Sequence, residues 1–368
     1  MGAVPLCDLK LQHAQVADEV AAGFAEVIAN TSFILGKHVA EFEKAFAALS
    51  GVSHCIGVGN GTDAIELALR AIGLGPGNEV IVPANTFIAT ALGVARAGCR
   101  PVLVDCDPDF HLIDPADVAR KIGARTKAVF PVHLYGQFAP VEKLAEAIAG
   151  KGIVLLEDAA QCQGARRNGK GAGSFGKLAA TSFYPGKNLG AYGDAGAVLT
   201  NDEALARKIV ALRNYGSDVK YYHPETGFNS RMDTLQAVVL SAKLKRLARW
   251  NDERRRAAAR YDQLLAGVPG LVLPATLPGN EHVFHLYVVR VPRRDEVLRR
   301  LNAAGIGAAI HYPVPIHLQG AFSHLGHKRG DFPVAEKAAD EILSLPMYPG
   351  ITADQQEQVV AALKRAVA

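Results

Sequence analysis

The segment TSFYPGKNLG, residues 181–190, sets Lys187 between a glycine and an asparagine, five residues after Ser182. An amine among aromatic and glycine residues, with few charges nearby, loses basicity and becomes nucleophilic. A phosphate loop of the form G-x-x-x-x-G-K-[ST] is excluded, because Thr181 stands where its first glycine belongs and Asn188 where its magnesium-binding hydroxyl belongs. A solvated surface lysine is the plain alternative, and the weakly charged flanks SFYPG and NLGAYGDAG argue against it.

A second candidate is GVGNGTDAIELALRA, residues 57–71, where Gly61 and Thr62 open a periodic helix whose free amides would suit a phosphate. Its glycines are spaced G-x-G-x-G, which is not the dinucleotide fingerprint, and the acid about 20 residues on, Glu79, precedes a strand instead of ending one. A simple Asn-Gly turn capped by Thr or Asp is the structural alternative. A third is Asp158, which closes the apolar run IVLLE, where a carboxylate is costly to bury without a partner. An amine at Lys187, a carboxylate at Asp158 and a phosphate cup of Gly61, Thr62 and Ser182 are together what pyridoxal 5'-phosphate requires.

The elements that must position these groups can be read from hydrophobic pattern. Short apolar runs EVIVPA (79–84), PVLVDC (101–106), AVFPVHL (128–134), GIVLLEDA (152–159) and AGAVLT (195–200) alternate with helical stretches. They predict a parallel sheet covered on both faces, with ligands gathering past the carboxyl ends of its strands. Asn85, Thr86 and Phe87 fall there, as do Asp105, Asp107, His133, Asp158 and Gln161. A long helical stretch after Gly227 leads to HVFHLYVVRVP, DEVLRRLNAAG, IGAAIHY and a terminal helix, which predict a small α+β domain. The expected division is a large domain over 1–250, N-terminal segment included, and a small one over 251–368.

With 49% hydrophobic and 21% charged residues and a net charge of +4, the chain is expected to fold around a sizeable core and not to bind nucleic acid. No apolar run nears the roughly 18 residues of a membrane span, and the start MGAVPLCDLKLQHAQ lacks a signal-peptide pattern. Five scattered cysteines without a C-x-x-C pair fit a reduced cytoplasm. His311, His317, His324 and His327 show no metal-ligand spacing, so no metal is expected. Asp105-Cys106-Asp107 imitates the D-x-D of metal-dependent sugar transferases, yet it simply ends a strand. The basic run ERRRAAARYD (253–262) is expected to be a solvated helix face.

Taken in order, FILGKHVAEFEKAFA, GNGTDAIELAL, PANTFIATA, HLYGQ, LLEDAAQ, SFYPGKNLGAYGDAGA, GFNSRMDTLQA and IHYPVPIHLQ resemble the DegT/DnrJ/StrS family of nucleotide-sugar aminotransferases, over nearly the whole chain. The resemblance implies the type I fold of pyridoxal-phosphate enzymes: an α/β large domain with a mostly parallel sheet flanked by helices, and a smaller C-terminal α+β domain. It matches Lys187 to the lysine that bonds the cofactor, Asp158 to the partner of the pyridine nitrogen and Gln161 to the residue near the ring hydroxyl. Gly61, Thr62 and Ser182 match phosphate ligands, Phe87 the stacking aromatic, and Asn229 a phosphate contact from the neighbouring subunit of a homodimer. Tyr184, Lys220, His311, Tyr312 and His317 fall where relatives meet the nucleotide-sugar, and Arg231 is open between a donor-carboxylate contact and a salt bridge. The implied reaction takes the amine of L-glutamate, through pyridoxamine phosphate, to a nucleotide-linked 3- or 4-keto-deoxysugar, expected to be dTDP-linked. Relatives that dehydrate sugars carry histidine at the lysine position, so Lys187 favours transamination; a sugar dehydratase, a cyclitol aminotransferase and a non-catalytic regulatory relative stand as alternatives.

Overall fold

The computed structural model describes residues 2–368. Its centre is a sheet in the order Arg100–Val104, Glu79–Pro83, Thr126–Val129, Val154–Asp158, Ala179–Ser182, Gly196–Thr200, His54–Val58. The strand at 154–158 joins the two halves, since Leu156 N donates to Val129 O at 2.9 Å on one side and Glu157 N to Leu178 O at 3.0 Å on the other. Gly196–Thr200 runs antiparallel to both neighbours, which corrects the expectation that AGAVLT belongs to the parallel set. The strands His54–Val58 and Ala179–Ser182 lie in runs that apolar pattern alone does not single out.

Alternate residues of each central strand feed opposite layers. Val80 and Val82 pack in one cluster with Leu67, Val94 and Phe130, while Ile81 packs in another with Val104, Val129 and Leu144. Both faces are covered by helices, so the strands read as unbroken apolar runs. The helix Gly61–Ala71 buries Ala64 through Leu69 against the sheet and aims its N-terminus past the strand ends.

The C-terminal core gathers Tyr261, Tyr287, Val289, Leu301, Leu343, Val359 and Leu363 around the antiparallel pair Tyr287–Arg290 and Ile342–Leu345. Val4 joins that cluster and pairs with Ile306, while Val16 and Val20, farther along the N-terminal segment, pack with Val239 and Ala242. Conversely Ile316, Phe322, Leu325 and Phe332 return to the main sheet core, and the helix Leu247–Leu265 spans the expected boundary at 250. IGAAIHY forms isolated bridges at Ile306 and Ala309 in place of a strand. The two domains are thus laced together, and the crevice between them is walled by both.

The D-x-D imitation has a structural use. Asp105 accepts from Val334 N at 2.9 Å and Ala335 N at 2.8 Å, capping the helix Pro333–Glu341 from across the fold. Asp107 accepts from Asp109 N at 2.8 Å and Phe110 N at 2.9 Å in a local turn. Asp105→Ala is therefore expected to lower unfolding free energy by about 1–2 kcal/mol in urea titration. Asp107→Ala tests only its own turn.

Candidate active site

Asp158 lies at the carboxyl end of the joining strand and is buried. Its Oδ2 accepts from Thr90 Oγ1 at 2.7 Å, its Oδ1 from Ala160 N at 3.1 Å, and Thr86 Oγ1 meets Thr90 Oγ1 at 3.1 Å. Burial raises the carboxyl's pKa, while the Thr90 hydroxyl, the Ala160 amide and the nearby Lys187 charge oppose the rise. The hydrogen bonds hold the group in place with acceptor capacity to spare for a cationic N–H.

The helix Gly61–Ala71 starts beside it. Asn60 caps that helix by accepting from Asp63 N at 2.8 Å, and Ser230 Oγ and Arg96 hold the Asp63 carboxylate at 2.7 and 3.0 Å. Among the described residues the amides of Gly61 and Thr62 have no acceptor, so they and the helix dipole form an anion cradle. The cradle is tight: a Cβ on Gly61 would stand 2.6 Å from Ser182 Cβ, and one on Gly196 would stand 2.4 Å from the Asn60 carbonyl. Only glycine lets these backbones approach so closely.

Ser182 ends a strand, and Phe183 anchors the loop that bears the lysine. The Phe183 ring is wedged edge-on between Phe42 and Phe46 at 5.3 and 5.1 Å. Phe183 N donates to Ala195 O and Ala191 N to Phe183 O, both at 2.8 Å, which closes the loop at its base. Within it Lys187 N donates to Tyr184 O at 2.8 Å, and Lys243 Nζ donates to Gly190 O at 2.7 Å. Lys187 is half-buried, and desolvation lowers its pKa from 10.5 to about 8 against the opposing pull of Asp158. Roughly a tenth to a fifth of its amine is then neutral near physiological pH, far more than for an ordinary lysine.

These groups line one cavity of about 610 Å³. Gly61, Thr62, Asp158, Gln161, Ser182 and Lys187 line it together with Phe87, Tyr184, His311 and Tyr312, of which Phe87 and Tyr184 are exposed. The Phe87 and Tyr312 rings stand 5.1 Å apart, Gln161 Nε2 donates to Tyr312 Oη at 3.0 Å, and Gln161 Oε1 accepts from Tyr135 N at 2.7 Å. His311 is kept near a pKa of about 4 by burial and the Lys187 charge. His317 is a correction: its side chain is sealed away, its Nε2 pairs with Glu336 at 2.9 Å, and it lies outside the cavity lining. The pairing explains why, because Glu336 also accepts from Gly330 N and so organises a separate turn. Lys220 and Asn229 are exposed on the segment 215–229, away from this chain's own cavity. Arg231 donates to Asn214 Oδ1 at 3.1 Å and lies over the Tyr215 ring.

Residues 14–364 match the DegT/DnrJ/EryC1/StrS aminotransferase family. The chain belongs to that family. A Streptomyces venezuelae protein named dTDP-3-amino-3,4,6-trideoxy-alpha-D-glucose transaminase is 45% identical, over 98% of this chain and 95% of its own. A Geobacillus stearothermophilus protein named pleiotropic regulatory protein is 49% identical, over 97% of this chain and 96% of its own. The solved structure of S. venezuelae DesV in complex with a ketimine intermediate is similar with a TM-score of 0.97 and 44% identity, covering 99% of this chain and 98% of that one.

The cofactor of this aminotransferase is pyridoxal phosphate. The residues present fit it: unpaired amides at a cradle that a single Cβ would fill, a held carboxylate and a half-buried amine open into one space. Thr86, one of the residues expected past the strand ends, also lines the cavity, as do Thr90, His285 and Arg254, to which the sequence gives no site role. Thr86 and Thr90 are spaced i,i+4 in NTFIAT, a weak signal; His285 and Arg254 carry none that separates them from core residues. Gly61→Ala is expected to weaken pyridoxal phosphate binding at least about tenfold in an equilibrium titration of the cofactor-free protein. Unchanged affinity would remove Gly61 from the cradle.

Proposed function

We propose that this sugar aminotransferase moves the amino group of L-glutamate onto a nucleotide-linked 3- or 4-keto-deoxysugar, dTDP-linked. The observation that carries the reading is that one cavity opens on the Lys187 amine, the Asp158 carboxylate and the Gly61–Thr62 amides together. The transaminase named for a dTDP-3-amino sugar, 45% identical over nearly the full length, supports the substrate class.

Bound pyridoxal phosphate supplies an electron sink for the substrate's amine-bearing carbon. Asp158 would hold the proton on the ring nitrogen, and Gly61, Thr62 and Ser182 would hold the phosphate. Lys187 Nζ would bond the cofactor at rest and, once displaced, move a proton to or from the substrate carbon; its lowered pKa of about 8 suits both duties. Phe87 would cover the ring and Gln161 its hydroxyl edge. Tyr184, His311 and Tyr312 would meet the sugar, where the exposed Tyr184 stands at the opening.

Asn229 and Lys220 would act from a second copy of the chain. Support comes from the segment that bears them, where Val219, Tyr221 and Tyr222 are 62%, 80% and 73% exposed, an apolar patch of the kind that interfaces cover. On this reading the enzyme would be a homodimer with shared sites, and a cytoplasmic one. No helix among the described residues is long and apolar enough to cross a membrane.

The 49% identical relative named as a regulatory protein gives a second reading, in which the site is kept without turnover. One experiment separates them: the holoenzyme is incubated with L-glutamate and a dTDP-linked 3-keto-6-deoxysugar. Formation of 2-oxoglutarate and amino-sugar in equal amounts is expected, falling by roughly 10²–10⁴-fold in Lys187→Ala. Absence of both products across 3-keto and 4-keto sugars would defeat the transaminase reading.

A further inference from the structure

The residue after the nucleophile determines the state of a histidine in the same cavity. Asn188 is buried, and its Nδ2 donates to Asn251 Oδ1 at 2.9 Å and to Val283 O at 3.1 Å. Asn251 Nδ2 in turn donates to Gln163 O at 2.9 Å, so its Oδ1 is an acceptor and the Asn188 amide has one consistent orientation. Asn188 Oδ1 then faces His285 Nδ1 at 3.2 Å as an acceptor. His285 must carry its proton on Nδ1, which leaves a lone pair on Nε2.

That Nε2 has no partner among the described residues. It differs from His111 Nδ1 and His317 Nδ1, which are unpartnered and sealed, because the half-buried His285 ring lines the cavity that holds Lys187. A second proton is opposed by burial first, then by Lys187, Arg254, His311 and His282, so the imidazole stays neutral. Lys187 and Arg254 line the same space as donors, and His285 adds a neutral acceptor to that lining.

We propose that His285 is a positioning residue whose Nε2 accepts a hydrogen bond from an amine N–H in the cavity. The amine is either Lys187 Nζ freed from the cofactor or the amino group of the incoming donor. The proposal rests on the transamination reading for its purpose, while its geometry comes from Asn188, Asn251 and His285 alone.

Two substitutions separate this role from a structural one. In His285→Asn the short amide can keep the bond to Asn188 but presents nothing at the Nε2 position; in His285→Gln the amide oxygen can reach that position. A merely structural histidine would be better replaced by Asn, whereas the proposed acceptor is better replaced by Gln. In cofactor-free protein, pH-dependent labelling of Lys187 by an amine reagent, read by mass spectrometry, tests the first source. His285→Asn is expected to lower the labelling midpoint by about half a pH unit, since an acceptor favours the ammonium form, with His285→Gln restoring it. In holoenzyme, single-turnover spectra with L-glutamate test the second source, with saturation weakened roughly 5- to 10-fold in His285→Asn and partly restored in His285→Gln.

A change in either arm identifies the amine. Wild-type behaviour of His285→Asn in both arms, or a larger loss in His285→Gln than in His285→Asn, would overturn the proposal. The labelling arm needs no substrate, so it reads independently of whether L-glutamate is the donor. Should His285→Asn fail to fold, His285→Ala serves in its place: the Lys187 labelling midpoint is expected to fall by about half a pH unit and His285→Gln to restore it, and an unchanged midpoint would count against the role.

Discussion

The site depends on keeping a carboxylate ionisable where the sheet buries it. Asp158 stands on the strand that joins the two halves of the sheet, with water largely excluded and its pKa driven upward. Left unsupported, such a group would take a proton and lose its value to a pyridinium. The Thr90 hydroxyl and the Ala160 amide oppose this by satisfying one oxygen each. Thr86 backs Thr90, so three short polar contacts offset a desolvation that the fold itself imposes.

The same burial acts in the opposite sense on Lys187. Removing an ammonium from water lowers its pKa, and the two groups restrain each other, because each charge favours the other's ionised form. What makes the pair useful is rigidity of placement. Phe183 is locked between two phenylalanine rings, Asn188 is locked by Asn251 and Val283, and the lysine between them has little backbone freedom. The phosphate cradle is held by the same neighbourhood, since Gly61 rests directly on Ser182.

Much of this was legible in the sequence, for identifiable reasons. Lys187 stood out because its flanks lack charge, Asp158 because it ends an apolar run, and Gly61–Thr62 because a periodic helix begins there. Asp105-Cys106-Asp107 was readable as structural, although its cap on a helix more than 200 residues away was not. The antiparallel strand Gly196–Thr200 was hidden, because apolar content tells burial and not direction. Val4 finds its partners near residue 300, a contact that no local pattern encodes. His317 had only the family resemblance to suggest it, and its buried pairing with Glu336, which no local pattern encodes, leaves it outside the cavity lining. Thr90, Arg254 and His285 gain meaning only from neighbours brought by the fold.

The central claim is that Lys187, and no other lysine, forms the bond to pyridoxal phosphate. Loading the protein with pyridoxal phosphate, reducing it with borohydride and mapping the phosphopyridoxyl group by peptide mass spectrometry tests it directly. The account predicts stoichiometric label on the peptide containing Lys187 and none on it after Asp158 and the Gly61 cradle are both disrupted. Label confined to Lys243, Lys220 or surface lysines, with Lys187 unmodified in the intact protein, would contradict it.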